Sequence, residues 1–271
     1  MSVKRKDGCL GELHQLSSDH HHVDLARRYI MRMFQPGEKL EILEAGCGQH
    51  WELDLGDADY RLTGVDLDAE ALRIRKDVRG DLHEAILADL SIADLESEQF
   101  DVIYNSFVLE HVVRVDNVLT NFAKWMKPGG ILILRFPDPD SVRGFVTRRS
   151  PHLIHVLYYR HILHYREAGR PGFPPYPTIY HPLVSRLGIR DFCAQNGLVI
   201  REEWGDGQHL LLGNGLIGAV SKIIMSLVGL LSFRRLSADH TNLLYIIEKP
   251  DQSHLPPPSE PPRAIVRPNT R

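Results

Sequence analysis

In EILEAGCGQH, Glu41 to His50, an apolar run ends in Glu44, Gly46 and Gly48, and two glycines at such a point let a ligand lie against bare backbone. In parallel α/β sheets ligands bind outside the carboxyl ends of the strands, and a glycine-rich first turn is where an adenosine-bearing cofactor approaches most closely. Asp66 closes the next apolar run, where a carboxylate can accept both hydroxyls of a ribose. Asp89 ends a third run, Asn105 and Ser106 follow a fourth, and LEHV, Leu109 to Val112, comes next. A dinucleotide fingerprint wants a third glycine at position 51, where a helix amino end must meet a pyrophosphate; this chain has Trp51.

The elements that must hold these residues are legible as strand-length apolar runs near 41–45, 61–65, 84–88, 100–105, 130–136, 198–204 and 243–248, separated by helical or loop segments. That alternation marks a parallel α/β sheet. Val115, Val118, Leu119, Phe122, Trp125 and Met126 recur at helical spacing and form a crossover helix ended by Lys127, Pro128 and Gly129. A second helix is expected over 185–195, stopping at Asn196 and Gly197. Residues 1–37 read as an N-terminal helical segment, capped by Ser17, Ser18 or Asp19 and lying beside the cofactor mouth or covering it. His20, His21 and His22 are adjacent rather than spaced on one helix face, which is not a metal-ligand pattern.

The main domain is expected over 38–249 with two insertions. Residues 138–182 are dense in His, Tyr, Arg and Pro and follow a strand end, the position of a lid; Tyr158, Tyr159 and His181 are its substrate-contact candidates. Residues 205–240 hold the apolar stretch 210–233, which is long enough for a bilayer but is interrupted by Asn214 and Lys222 and sits between two strands of one sheet. A helix lying in a membrane interface, one burying a greasy substrate, and an intramolecular or dimer packing helix all fit it. The tail 250–271 is proline-rich and reads as disordered.

With 271 residues and 43% hydrophobic content the chain can bury a full core, so disorder is not its default. A net charge of −3 argues against broad nucleic-acid affinity, which draws on clustered cationic charge. Cys9, Cys47 and Cys193 are too few and scattered for a disulfide framework, and no apolar stretch follows the basic amino terminus, so a reducing cytoplasmic setting is expected.

With these motifs in order, the chain resembles the class I S-adenosylmethionine-dependent methyltransferases, particularly the small-molecule group with an LEHV motif, from about Leu40 to Lys249 outside the insertions. The resemblance implies a Rossmann-like, mostly parallel sheet of seven strands in the order 3-2-1-4-5-7-6, the last antiparallel. It implies that Glu44, Gly46 and Gly48 lie beside the methionine part of S-adenosylmethionine. Asp66 and Leu67 would hold the ribose, Asp89 and Leu90 would flank the adenine, and Asn105 and Ser106 would line the transfer site.

His111 is the candidate general base, since an imidazole titrates near physiological pH. Some quinone O-methyltransferases place a metal-binding carboxylate three before the LEHV glutamate; here that residue is Phe107, and no metal is expected. The function that follows is O-methylation of a small hydrophobic or amphipathic acceptor: a lipid, quinone, polyketide or glycolipid. Membrane-surface contact through 210–233 would suit such an acceptor. A nucleic-acid methyltransferase and a non-catalytic S-adenosylmethionine-binding protein are the alternatives. Two departures stand out: His50 replaces a usual glycine, and the link from Gly48 to Arg61 leaves room for only a stunted first helix.

Overall fold

A parallel sheet needs cover on both faces, and the chain supplies it from helices on either side. The computed structural model describes residues 13–16, 21–161, 164–170, 175–206, 227, 231–232, 236–237 and 239–251. Strand β1 (His14–Leu16) and helix α1 (His21–Met33) precede β2 (Leu40–Ala45) and β3 (Tyr60–Asp66). Helix α2 (Ala69–Arg73) continues as a π-helical turn, Ile74–Arg79, before β4 (Glu84–Leu87). Next come β5 (Phe100–Ser106), a 3-10 turn at Leu109–His111, α3 (Val115–Trp125) and β6 (Met126–Pro137). Helices α4 (Val142–Arg149) and α5 (His152–His161) lie between β6 and α6 (Arg186–Gln195), and β7 (Val199–Asp206) and β8 (Asn242–Glu248) follow.

The sheet order is β4-β3-β2-β5-β6-β8-β7-β1, with β8 antiparallel to both neighbours and the other pairs parallel. The seven expected strands thus occur in the expected order. The eighth, β1, sets His14, Gln15 and Leu16 beside Trp204, Gly205 and Asp206. Three largely polar residues carry no alternation a sequence could show. The unpaired edge of β7 is what makes them a strand.

Alternate strand residues feed two cores. Leu43, Ile103, Leu132, Leu134 and Phe136 pack with Phe122 and Trp125 of α3 and Ile189 of α6. Ile42, Leu62, Val102, Ile131 and Ile133 pack with Leu25, Ala26 and Ile30 of α1. No helix forms between Gly48 and β3; Leu53 and Leu55 from that loop plug the α1 layer instead. Helix α6 starts where Ser185 Oγ accepts from Gly188 N (3.1 Å) and ends at Asn196. Phe122 is fully buried, so Phe122→Ala should cost about 3–5 kcal/mol, read as a lower urea midpoint at unchanged slope.

The helix-cap candidates Ser17, Ser18 and Asp19, most of 210–233 and nearly all of the tail lie outside the described residues. Among the described residues, no helix is long and apolar enough to cross a membrane.

Candidate active site

The turn after β2 is built from both glycines, for different reasons. Gly46 (φ 76°) and Gly48 (φ 50°) both take left-handed backbone. A Cβ on Gly46 would overlap the methyl groups of Val108, whereas one on Gly48 would meet no protein atom within 4 Å. Gly46 therefore lets the turn before LEHV close down, and Gly48 leaves its face open. Five hydrogen bonds hold the turn: Gly46 N and Cys47 N donate to Val65 O (2.7 and 3.3 Å), Gly48 N to Asp66 Oδ2 (2.8 Å), Asn105 Nδ2 to Ala45 O (2.8 Å) and Arg75 Nη1 to Cys47 O (2.7 Å). Arg75 Nη2 also pairs with buried Glu44, whose carboxyl burial pushes up to about 8 against the pull of that guanidinium.

The glycine contrast is testable. Gly46→Ala should lower the melting temperature, since left-handed strain of about 1–3 kcal/mol adds to the clash with Val108. Gly48→Ala carries the strain without the clash, so it should cost less stability and mainly weaken S-adenosylhomocysteine binding, measured by calorimetry. Equal losses of stability in the two variants would refute the distinction.

Asp66 stands at the end of β3, where its Oδ1 accepts from Asp68 N (2.9 Å) while Oδ2 holds Gly48. Leu67 beside it is 71% exposed at the same edge. Asp89 Oδ1 accepts from Ser91 N (2.8 Å), and Leu90 is buried against the α3 layer. Asn105 is buried with its Oδ1 unpartnered among the described residues, and Ser106 is half-buried at the end of β5. His50 is exposed, its Nδ1 3.3 Å from Arg79 Nη1.

The LEHV turn is strapped by the segment 175–182, which runs up to α6. Ile179 N donates to Glu110 O (2.6 Å), and His111 Nδ1 lies 2.8 Å from Pro177 O. A carbonyl only accepts, so Nδ1 carries the proton and the ring lone pair is on Nε2. Burial lowers the His111 pKa, favouring the neutral ring. Tyr176 meets the His111 ring edge-on (centroids 5.7 Å apart), and burial, with the nearby Asp68 and Asp66 charges, raises its phenol pKa. Arg148 of α4 stacks on Tyr180 (5.9 Å). Burial also pushes the Glu110 carboxyl up to about 7.

A second layer of buried polar groups stands at the carboxyl ends of the strands. Arg135 of β6 pairs with Asp206 (2.7 Å) and His22 (3.1 Å), and Glu52 is bonded by Tyr104 and lies 3.7 Å from His22. Burial alone would raise the Glu52 carboxyl; His22, Tyr104 and Arg135 outweigh it and hold it at about 2. Phe107, left-handed at φ 57°, lies under the Arg135 guanidinium (4.6 Å). This network fixes α1 to the sheet. It was invisible in sequence because its members come from four separate elements and two loops.

Other candidates fall elsewhere. Tyr158 and Tyr159 pack against each other (6.2 Å), and His181 Nδ1 accepts from Leu183 N (3.3 Å) on the approach to α6. The insertion's tyrosine in ring contact with His111 is Tyr176, which lacked any spacing signal because it sits in a proline-rich extended stretch.

The sheet order, the open glycine turn and the acidic end of β3 define a class I S-adenosylmethionine-dependent methyltransferase. The chain belongs to the methyltransferase-domain family, whose model matches residues 18–203. It is 25% identical over 197 residues to a ubiquinone biosynthesis O-methyltransferase of Maricaulis maris, covering 62% of this chain and 74% of that protein. It is also 26% identical over 153 residues to phosphoethanolamine N-methyltransferase 3 of Arabidopsis thaliana, covering 50% of this chain and 29% of that protein. A Galdieria sulphuraria structure assigned as a sarcosine dimethylglycine methyltransferase shares the fold, with a TM-score of 0.54, 12% identity and coverage of 89% and 94% of the two chains.

Proposed function

We propose that this enzyme methylates a hydroxyl of a small hydrophobic or amphipathic acceptor such as a lipid, quinone, polyketide or glycolipid, with His111 as general base. The carrying observation is the His111–Pro177 bond, which places the proton on Nδ1 and leaves Nε2 to receive the acceptor proton. The open face of Gly48 and the Asp66 carboxylate fit S-adenosylmethionine: Glu44, Gly46 and Gly48 bound the methionine end, Asp66 and Leu67 the ribose, Asp89 and Leu90 the adenine, and Asn105 and Ser106 the transfer end. The cofactor supplies an activated sulfonium methyl. The chain's own task is to orient the acceptor oxygen, take its proton and exclude water, with the 175–182 strap covering the mouth.

The similarity to a ubiquinone biosynthesis O-methyltransferase supports oxygen as the acceptor atom, and the apolar stretch 210–233 supports a hydrophobic acceptor met in the cytoplasm or at a membrane surface. Incubation with radiolabelled S-adenosylmethionine and host extract, followed by separation into lipid, small polar, protein and RNA fractions, tests this. Label is expected in the lipid or small-molecule fraction on an oxygen. Label on an amine, or only in protein or RNA, would overturn it.

A further inference from the structure

Arg75 is 0% exposed, and each nitrogen of its guanidinium is committed. Nε donates to Asp81 (2.8 and 3.0 Å to its two oxygens), Nη1 to the Cys47 carbonyl (2.7 Å) and Nη2 to Glu44 Oε2 (2.8 Å). Its backbone lies in the π-helical turn Ile74–Arg79, and such wider turns recur at functional sites. Planar fork geometry is what allows one side chain to serve three acceptors at once; a lysine offers only a point charge. Cys47 lies between the two glycines of the cofactor turn, so the Nη1 bond fixes the middle of a segment whose flanking residues are the most permissive in the chain. Glu44 is already occupied by the same guanidinium at the strand end just before that turn.

We propose that Arg75 is a positioning residue for the cofactor: its fork ties Glu44 to the Cys47 carbonyl and so sets the Gly46–Gly48 turn in the shape that receives the amino-acid half of S-adenosylmethionine, with Glu44 acting through Arg75 rather than by touching the cofactor. This gives Glu44 an indirect role within its place beside the methionine part, which is all that the family resemblance implies for it. It concerns cofactor binding alone, so its failure is separable from failure of the hydroxyl-acceptor reading.

Calorimetric titration of the full-length protein without acceptor tests it, using two probes: S-adenosylhomocysteine, and 5′-methylthioadenosine, which has the nucleoside but no amino-acid group. Arg75→Gln should weaken S-adenosylhomocysteine about tenfold or more, the scale of small misplacements in a preorganised site. It should leave 5′-methylthioadenosine within about threefold, a split that general loosening of the fold would not produce. Equal weakening of both probes, or of neither, overturns the proposal. The double variant Glu44→Gln/Arg75→Gln should bind no worse than Arg75→Gln alone, because both residues act through one contact chain. A further tenfold loss on adding Glu44→Gln would mean that Glu44 touches the cofactor itself and would overturn that half. If Arg75→Gln loses its near-ultraviolet circular dichroism, Arg75→Lys takes its place, keeping the buried charge but not the fork. The same split between probes is then expected, and wild-type affinity for S-adenosylhomocysteine would overturn the assignment.

Discussion

Asp66→Ala should abolish measurable S-adenosylmethionine binding while leaving a folded protein. The Asp66 carboxylate accepts from Gly48 N and Asp68 N, and as a ribose ligand it would add charge-assisted bonds to two hydroxyls. Such bonds are worth about 1.5–3 kcal/mol each, so losing two weakens binding by roughly 100-fold or more before any relaxation of the glycine turn is counted. The sheet should survive, because Asp66 is half-buried at a strand end and anchors no core layer. Asp66→Asn keeps one acceptor oxygen and should fall between the two. Calorimetry with S-adenosylhomocysteine and circular dichroism separate binding from folding. An alanine variant that binds within about threefold of the wild type would remove Asp66 from the cofactor site.

The second large effect is on turnover. His111→Ala should lower kcat by about 10²–10⁴ with cofactor affinity unchanged, the usual contribution of a positioned base. His111→Gln retains a donor for the Pro177 carbonyl, so a similar loss in that variant would place the effect on the base and not on a released strap. The pH dependence follows from burial. The working form is the neutral ring, which exists above the His111 pKa; burial lowers that pKa, so kcat/KM should rise with pH and level off below the ordinary histidine range. Activity is lost on acidification as the ring takes a proton. A plateau reached only above the ordinary range, or a His111→Ala rate near wild type, would require another base.

Much of this site is legible in the order of residues along the chain, because its anchors lie at the ends of apolar runs. Glu44, Asp66, Asp89 and Asn105 each close or follow a strand-length run, so chain order alone brings them to one edge of the sheet. Three features could not be read that way. Edge strand β1 depends on the open side of β7. Tyr176 and Pro177 reach LEHV across a separation of more than sixty residues that carries no periodicity. Arg75 looks like one more basic residue in LRIRKDVRG until the π-helical turn aims it inward.

Strand positions and the α/β class were encoded locally, in periodicity and strand-end residues, whereas the sheet order and the cofactor class came from the family resemblance that the linked motifs carry. What each site residue is bonded to emerged only on packing: Glu44 is held by Arg75, Gly46 is needed for Val108 while Gly48 stays open, and His111 is turned by Pro177 so that its free lone pair is on Nε2. Hydrogen bonds and close approaches between residues distant in the chain form only when the elements come together, and no spacing rule encodes them.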